Sequence, residues 1–166
     1  MTSGRSRVVA AALGATVFLM QGCPSAYQRT YDQEMQRLES QRQAEDAQQA
    51  AAHAAAQKYA AVVYFPVGSA VIDADGEREL RWFVQQMQPY PKAIIAVQGF
   101  ADSTGSEATN KGLSEQRAAA VAAYLNSQGI DMARIVTQGF GQEYPAESNA
   151  TAQGRRNNRR VEVTVR

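Results

Sequence analysis

The chain has 166 residues, 45% of them hydrophobic, with 17 Lys and Arg set against 16 Asp and Glu. A balance this close to neutral excludes the strong basic excess typical of a nucleic-acid binder. A single cysteine and a single histidine exclude an internal disulfide and a zinc centre built on those ligands.

The chain opens with Arg5 and Arg7 and then runs uncharged over 8–20. That run falls short of the ~20 apolar residues of a spanning helix and has the length of a signal-peptide core. Leu19, Met20, Gln21 and Gly22 then precede Cys23, the only cysteine. The segment resembles a lipobox, although Met20 and Gln21 depart from the commonest pattern. The resemblance implies that 1–22 are a lipoprotein signal peptide and that Cys23 becomes an acylated N-terminus carrying palmitate. Pro24 stands where an Asp would imply retention in the inner membrane. The expected address is therefore the outer membrane, with the rest of the chain facing the periplasm. Acyl chains contribute about 0.8 kcal/mol per buried methylene, and two or more make anchoring stable. Loss of Arg5 and Arg7 with the leader takes the basic residues from 17 to 15 against 16 acidic ones.

Residues 27–60 are dominated by Ala, Gln, Glu and Arg and contain neither Gly nor Pro. These are strong helix formers, and a continuous helix over this stretch would extend about 50 Å. Tyr31, Met35, Leu38, Arg42, Glu45, Gln49, Ala52, Ala56 and Tyr59 follow alternating spacings of four and three. That seam is apolar only at its ends, which argues against a robust coiled coil. Residues 23–60 read as a lipidated N-terminus and a solvated helical tether, with His53 an exposed helix residue.

From 61 to 166 the pattern becomes that of one compact domain. A β-branched and aromatic strand is expected over 61–65. A helix follows from an Asp75 cap to about Gln88, with Leu80, Phe83, Val84 and Met87 on one stripe. A second strand covers 93–97 and ends at Gly99, and a second helix stops near Gln128 before Gly129. A third strand covers 134–138 and ends at Gly139. A short helix over 151–155 and an alternating strand over 160–165 close the chain. The order β-α-β-α-β-α-β predicts a two-layer α/β sandwich. The second helix is a crossover, so the strands it joins should be parallel. Both of those strands end in Gln-Gly-Phe, at 98–100 and 138–140, which would place two glycines at the carboxyl edge where open α/β sheets commonly bind ligands.

The domain holds neither His nor Cys, so Ser-His and Cys-His nucleophilic arrangements are excluded within it. Asp73, Ala74, Asp75 and Gly76 hint at a calcium loop, but Trp82 falls where the required Glu belongs. Asp73 and Asp75 are better read as turn and cap residues. Arg117 lies four residues after Leu113 and four before Val121, which places it on the apolar stripe of the second helix. It also sits near that helix's N-terminal end, where the macrodipole disfavours a cation. An Arg so placed needs a nearby carboxylate or a route to water. Asp102, in the loop leading to that helix, is the obvious carboxylate. From the residues alone the pair reads equally as an internal salt bridge or as a two-signed clamp, Asp102 for an ammonium and Arg117 for a carboxylate.

Three motifs occur in order: Gly99-Phe100-Ala101-Asp102-Ser103-Thr104-Gly105, then Asn110-Lys111-Gly112-Leu113-Ser114-Glu115-Gln116-Arg117-Ala118, then Asn158-Arg159-Arg160-Val161-Glu162. Together they resemble the signatures of the OmpA-like peptidoglycan-binding domain, over 61–166. The resemblance implies a non-catalytic domain without cofactor or metal. It implies that Asp102 and Arg117 hold the free ammonium and carboxylate of diaminopimelate in the peptide stem, and that Ala101, Asn110 and Leu113 line or support the pocket. Arg159 matches a family arginine for which no role is carried over. Phe65-Pro66-Val67-Gly68-Ser69 departs from the family pattern at Pro66. With no barrel and no spanning helix ahead of the domain, the organisation resembles the peptidoglycan-associated lipoprotein group. The implied partners are peptidoglycan, the outer membrane through lipid at Cys23, and an envelope protein. The implied function is tethering of the outer membrane to the wall. The alternative is a signalling or assembly lipoprotein whose wall binding regulates a Tol-like complex or an inner-membrane receptor.

Overall fold

The computed structural model describes residues 25–166, so the leader and the lipobox, Cys23 included, lie outside the described residues. The chain divides into two compact units, one ending at Ala44 and the other spanning Glu45–Arg166. Helix α1 (Ala26–Ala56) fulfils the helical reading of the Ala- and Gln-rich stretch. Its residues are exposed up to position 51, as a sequence with no continuous apolar stripe requires. In the second unit the burial rises: Ala56 is fully buried within the hydrophobic core, and Tyr59 packs against it.

Strand β1 (Ala60–Tyr64) alternates, burying Ala61 and Val63 and exposing Ala60, Val62 and Tyr64. Helix α2 (Ala74–Met87) buries Leu80, Phe83, Val84 and Met87, the stripe expected from their spacing. Its cap is Asp73, not Asp75. Asp73 has the extended backbone a cap needs, and its carboxylate accepts the Gly76 amide at 2.8 Å. Asp75 is already helical and pairs with Arg78 on the surface at 2.6 Å. Strand β2 (Ile95–Gly99) begins two residues later than the sequence suggests, because the Ala93 amide is engaged by the Tyr90 carbonyl in a turn.

Helix α3 (Glu107–Ser127) is capped by Ser106, whose hydroxyl accepts the Thr109 amide at 3.1 Å. A 3-10 turn (Met132–Arg134) takes Arg134 out of strand β3 (Ile135–Gly139). The Arg134 side chain instead donates to the carbonyls of Ala93 and Tyr90 at 3.0 and 2.8 Å. Helix α4 (Ala152–Asn158) runs three residues past its expected end, and strand β4 (Arg160–Val165) follows at once.

The sheet order is β1-β4-β2-β3. Strands β2 and β3 are parallel, as the crossover through α3 requires, and β4 is antiparallel to both β1 and β2. Val63, Leu80, Phe83, Val97, Val121 and Val163 belong to one buried cluster. Helices α2 and α3 therefore share a single core with the sheet, giving the expected two layers.

Candidate functional site

The site grows out of the paired Gln-Gly-Phe segments. Gly99 and Gly139 are direct neighbours in the parallel β2–β3 register, so both chains leave the sheet at one edge. The Phe100 and Phe140 rings stack with centroids 5.4 Å apart. The Phe140 amide donates to the Gly99 carbonyl at 2.8 Å, and the Ala101 amide to the Gly141 carbonyl at 2.7 Å. A methyl group on Gly99 would overlap the Ser114 carbonyl of α3, and one on Gly139 would crowd the Glu115 amide and the Ser114 hydroxyl. The two glycines thus let α3 lie directly against the strand ends. One turn further along, that helix delivers Arg117 to the same edge.

Arg117 has no solvent exposure. Its Nε donates to the Ser69 carbonyl at 2.8 Å, one terminal nitrogen to Phe100 at 3.1 Å, and the other to Pro66 at 2.9 Å. Its guanidinium carbon lies 5.3 Å from the centre of the Phe65 ring. The requirement for a carboxylate or a path to water is therefore met differently: three backbone carbonyls solvate the cation. Burial foremost, then the repulsion of Arg159, lowers its pKa to about 10, with Asp102 acting in the opposite direction. It remains a cation at neutral pH.

Asp102, also buried, makes its ion pair with Arg159 rather than Arg117, at 2.7 Å. Its other carboxylate oxygen accepts the Thr104 amide at 2.8 Å. Burial pushes the carboxyl's pKa up, but Arg159 and Thr104 together outweigh it and hold the group below the usual carboxylate range. The Asn110 side-chain amide donates to the Asp102 carbonyl at 3.0 Å and to Gln142 at 2.9 Å, bracing the loop from α3. Ala101 is buried beside it, and Leu113 is half-buried on α3. Asp102, Ala101, Asn110 and Arg117 are thus gathered at one edge, with Leu113 on the helix above.

Arg159 is the participant that sequence reasoning left without a role. Its partners are 57 and 94 positions away, so no local pattern announces it. A groove of about 770 Å³ lined by His53, Tyr90 and Lys92 shares no residue with this edge. Among the described residues no cluster of His, Cys, Asp or Glu is placed to hold a metal ion.

The OmpA family model matches residues 64–159. The chain belongs to the OmpA family. Its OmpA segment is 44% identical over 103 residues to the probable lipoprotein YiaD of Escherichia coli, covering 62% of this chain and 47% of that protein. It is 43% identical over 98 residues to the peptidoglycan-binding protein ArfA of Mycobacterium tuberculosis, covering 59% of this chain and 30% of that one. The chain thus spans less than half the length of these relatives. The OmpA fold also aligns with the crystal structure of the peptidoglycan-associated lipoprotein from Burkholderia pseudomallei. There the TM-score is 0.61 at 25% identity, over 64% of this chain and 90% of that one. The cell wall anchor of the T6SS from Pseudomonas aeruginosa aligns with a TM-score of 0.56 at 28% identity, over 64% of this chain and 79% of that one. No helix among the described residues is long and apolar enough to cross a membrane.

Proposed function

We propose that this protein is a non-catalytic wall-binding lipoprotein. Lipid on Cys23 holds it in the outer membrane, residues 23–60 form the tether, and the 61–166 domain grips peptidoglycan in the periplasm at the free end of diaminopimelate. One observation carries the reading: two oppositely charged, buried side chains, Arg117 and Asp102, stand at the same carboxyl edge of the sheet, each with hydrogen-bonding capacity left over. Arg117 gives three N–H bonds to backbone out of the five a guanidinium offers, and a carboxylate has about four acceptor sites, of which Asp102 fills two. The remaining donors suit a ligand carboxylate, and the remaining acceptors suit an ammonium. Asn110, Ala101 and Leu113 support the walls. The names of two relatives, a peptidoglycan-binding protein and a lipoprotein, support the same assignment.

The cleanest test varies the ligand, because Arg117 also carries the loop that includes Pro66 and Ser69. A stem peptide with Lys in place of diaminopimelate lacks the second carboxylate. Charge-assisted hydrogen bonds contribute about 1.5–3 kcal/mol, so calorimetry should show the Lys stem binding roughly ten- to a hundredfold more weakly. Equal affinities would reject the clamp. The likeness to a secretion-system wall anchor favours a second reading, in which the gripped wall positions an envelope apparatus. A pulldown on intact sacculi with identified co-eluting proteins separates the two.

A further inference from the structure

We infer that Arg159 is the positioning residue of the Asp102 arm, fixing the direction and the charge of the carboxylate that receives the ligand's ammonium. The inference rests on the proposed function and adds to it a residue that the clamp reading leaves without a task.

Arg159 is unusually well anchored. Its amide donates to the Arg155 carbonyl at 3.2 Å at the end of α4, and its carbonyl accepts the Phe65 amide at 2.9 Å. Its Nε then returns to the Phe65 carbonyl at 3.0 Å. Main chain and side chain are therefore both clipped to the same residue at the end of β1. From that base one terminal nitrogen reaches Asp102 at 2.7 Å. Thr104 holds the second oxygen, so each carboxylate oxygen faces one fixed donor and the group has little freedom to rotate. Such support from behind is what keeps a binding group within the narrow geometric tolerance of its task.

The charges around Asp102 come from two directions: Arg159 from the α4–β4 junction and Arg117 from α3. The segment that follows β1 contributes none, since Phe65, Pro66, Val67, Gly68 and Ser69 carry no titratable side chain, and Asp73 at the far end of the β1–α2 loop is turned to the Gly76 amide as the cap of α2. Without Arg159, Asp102 would be a buried carboxylate held by Thr104 alone, and burial would raise its midpoint. At neutral pH the carboxylate stays charged but is no longer held in one direction, and at acid pH it is neutralised sooner, so losing Arg159 should weaken a contact that Arg159 does not itself make.

The test uses Arg159→Gln and Arg159→Lys in the full chain. Circular dichroism reports the fold, calorimetry reports affinity for a diaminopimelate stem peptide between about pH 4 and pH 8, and carboxyl-carbon NMR reports the Asp102 midpoint without ligand. In Arg159→Gln the midpoint should rise by about one pH unit, affinity at neutral pH should fall about tenfold, and the acid limb of binding should move up with the midpoint. Arg159→Lys should keep the midpoint low yet recover only part of the affinity, because an ammonium lacks the fork that holds Phe65 and Asp102 together. A folded Arg159→Gln protein with the parental midpoint, or with a raised midpoint and parental affinity, overturns the inference. If that variant does not fold, parental affinity in Arg159→Lys overturns it instead. A parent that does not bind the stem sinks the proposed function, while the ligand-free midpoint still reports whether Arg159 governs Asp102.

Discussion

Arg117 has two duties that pull an experiment in opposite directions. Its removal strands the carbonyls of Ser69 and Phe100 and leaves that of Pro66 with only the Ser69 amide at 3.3 Å, and a buried group left unsatisfied costs about 1–3 kcal/mol. Arg117→Ala should therefore lose about 3 kcal/mol or more of stability, read as a lower urea midpoint, before any binding is measured. Asp102 acts through pH. Its folded pKa lies below its ordinary value, so its contribution to stability is fully present above about pH 4 and is lost as pH falls through the folded value. The stability gap between the parent and Asp102→Asn should accordingly shrink on acidification. A gap constant down to about pH 2 would show that Asp102 carries no such linkage. Both residues were legible in the sequence, Arg117 because a cation on an apolar stripe is anomalous and Asp102 because it follows a strand-ending glycine. Which cation faces Asp102 was not legible. That is decided by β4 lying between β1 and β2, which carries Arg159 to the site from far along the chain.

Helix α3 is held to the sheet by contacts so close that only a hydrogen fits. A Cβ on Gly99 meets a backbone carbonyl that cannot rotate away, whereas one on Gly112, in the same helix, meets nothing. Gly99→Ala should cost about 3 kcal/mol, and Gly112→Ala should stabilise by up to about 1 kcal/mol through helix propensity. Thermal unfolding of the two variants should shift in opposite directions, and a Gly99→Ala protein as stable as the parent would contradict the packing. The repeated Gln-Gly-Phe showed that two strands end alike, but only the fold supplies the cause, the approach of α3. Helices were easier to read than strand limits. Periodicity marks a stripe such as Leu80 to Met87, whereas the ends of β2 and β3 depend on a turn at Ala93 and a 3-10 turn at Arg134 that leave little trace in hydrophobic pattern.

Across the whole molecule, the last turn of α1 contributes to the domain that follows. Ala56 is fully buried in the core, and the Tyr59 ring lies 6.1 Å from both Trp82 and Tyr90. A chain begun at Glu45 should therefore unfold at a higher temperature than one begun after Tyr59, by several degrees for a loss of about 1–2 kcal/mol. Identical melting temperatures would assign those residues to the tether alone. The same sheet order has a consequence for biogenesis. Strand β1 pairs with no strand but β4, and β2 reaches β1 only through it, yet β4 is the last of the four strands in chain order. A chain delivered from its N-terminus can form α2 and α3 early, but its sheet stays in two separate pieces until residue 165 is available. The order of the strands thus makes closure of the sheet wait on its last strand, so that local helices can form well before the long-range pairing that joins β1 to β2.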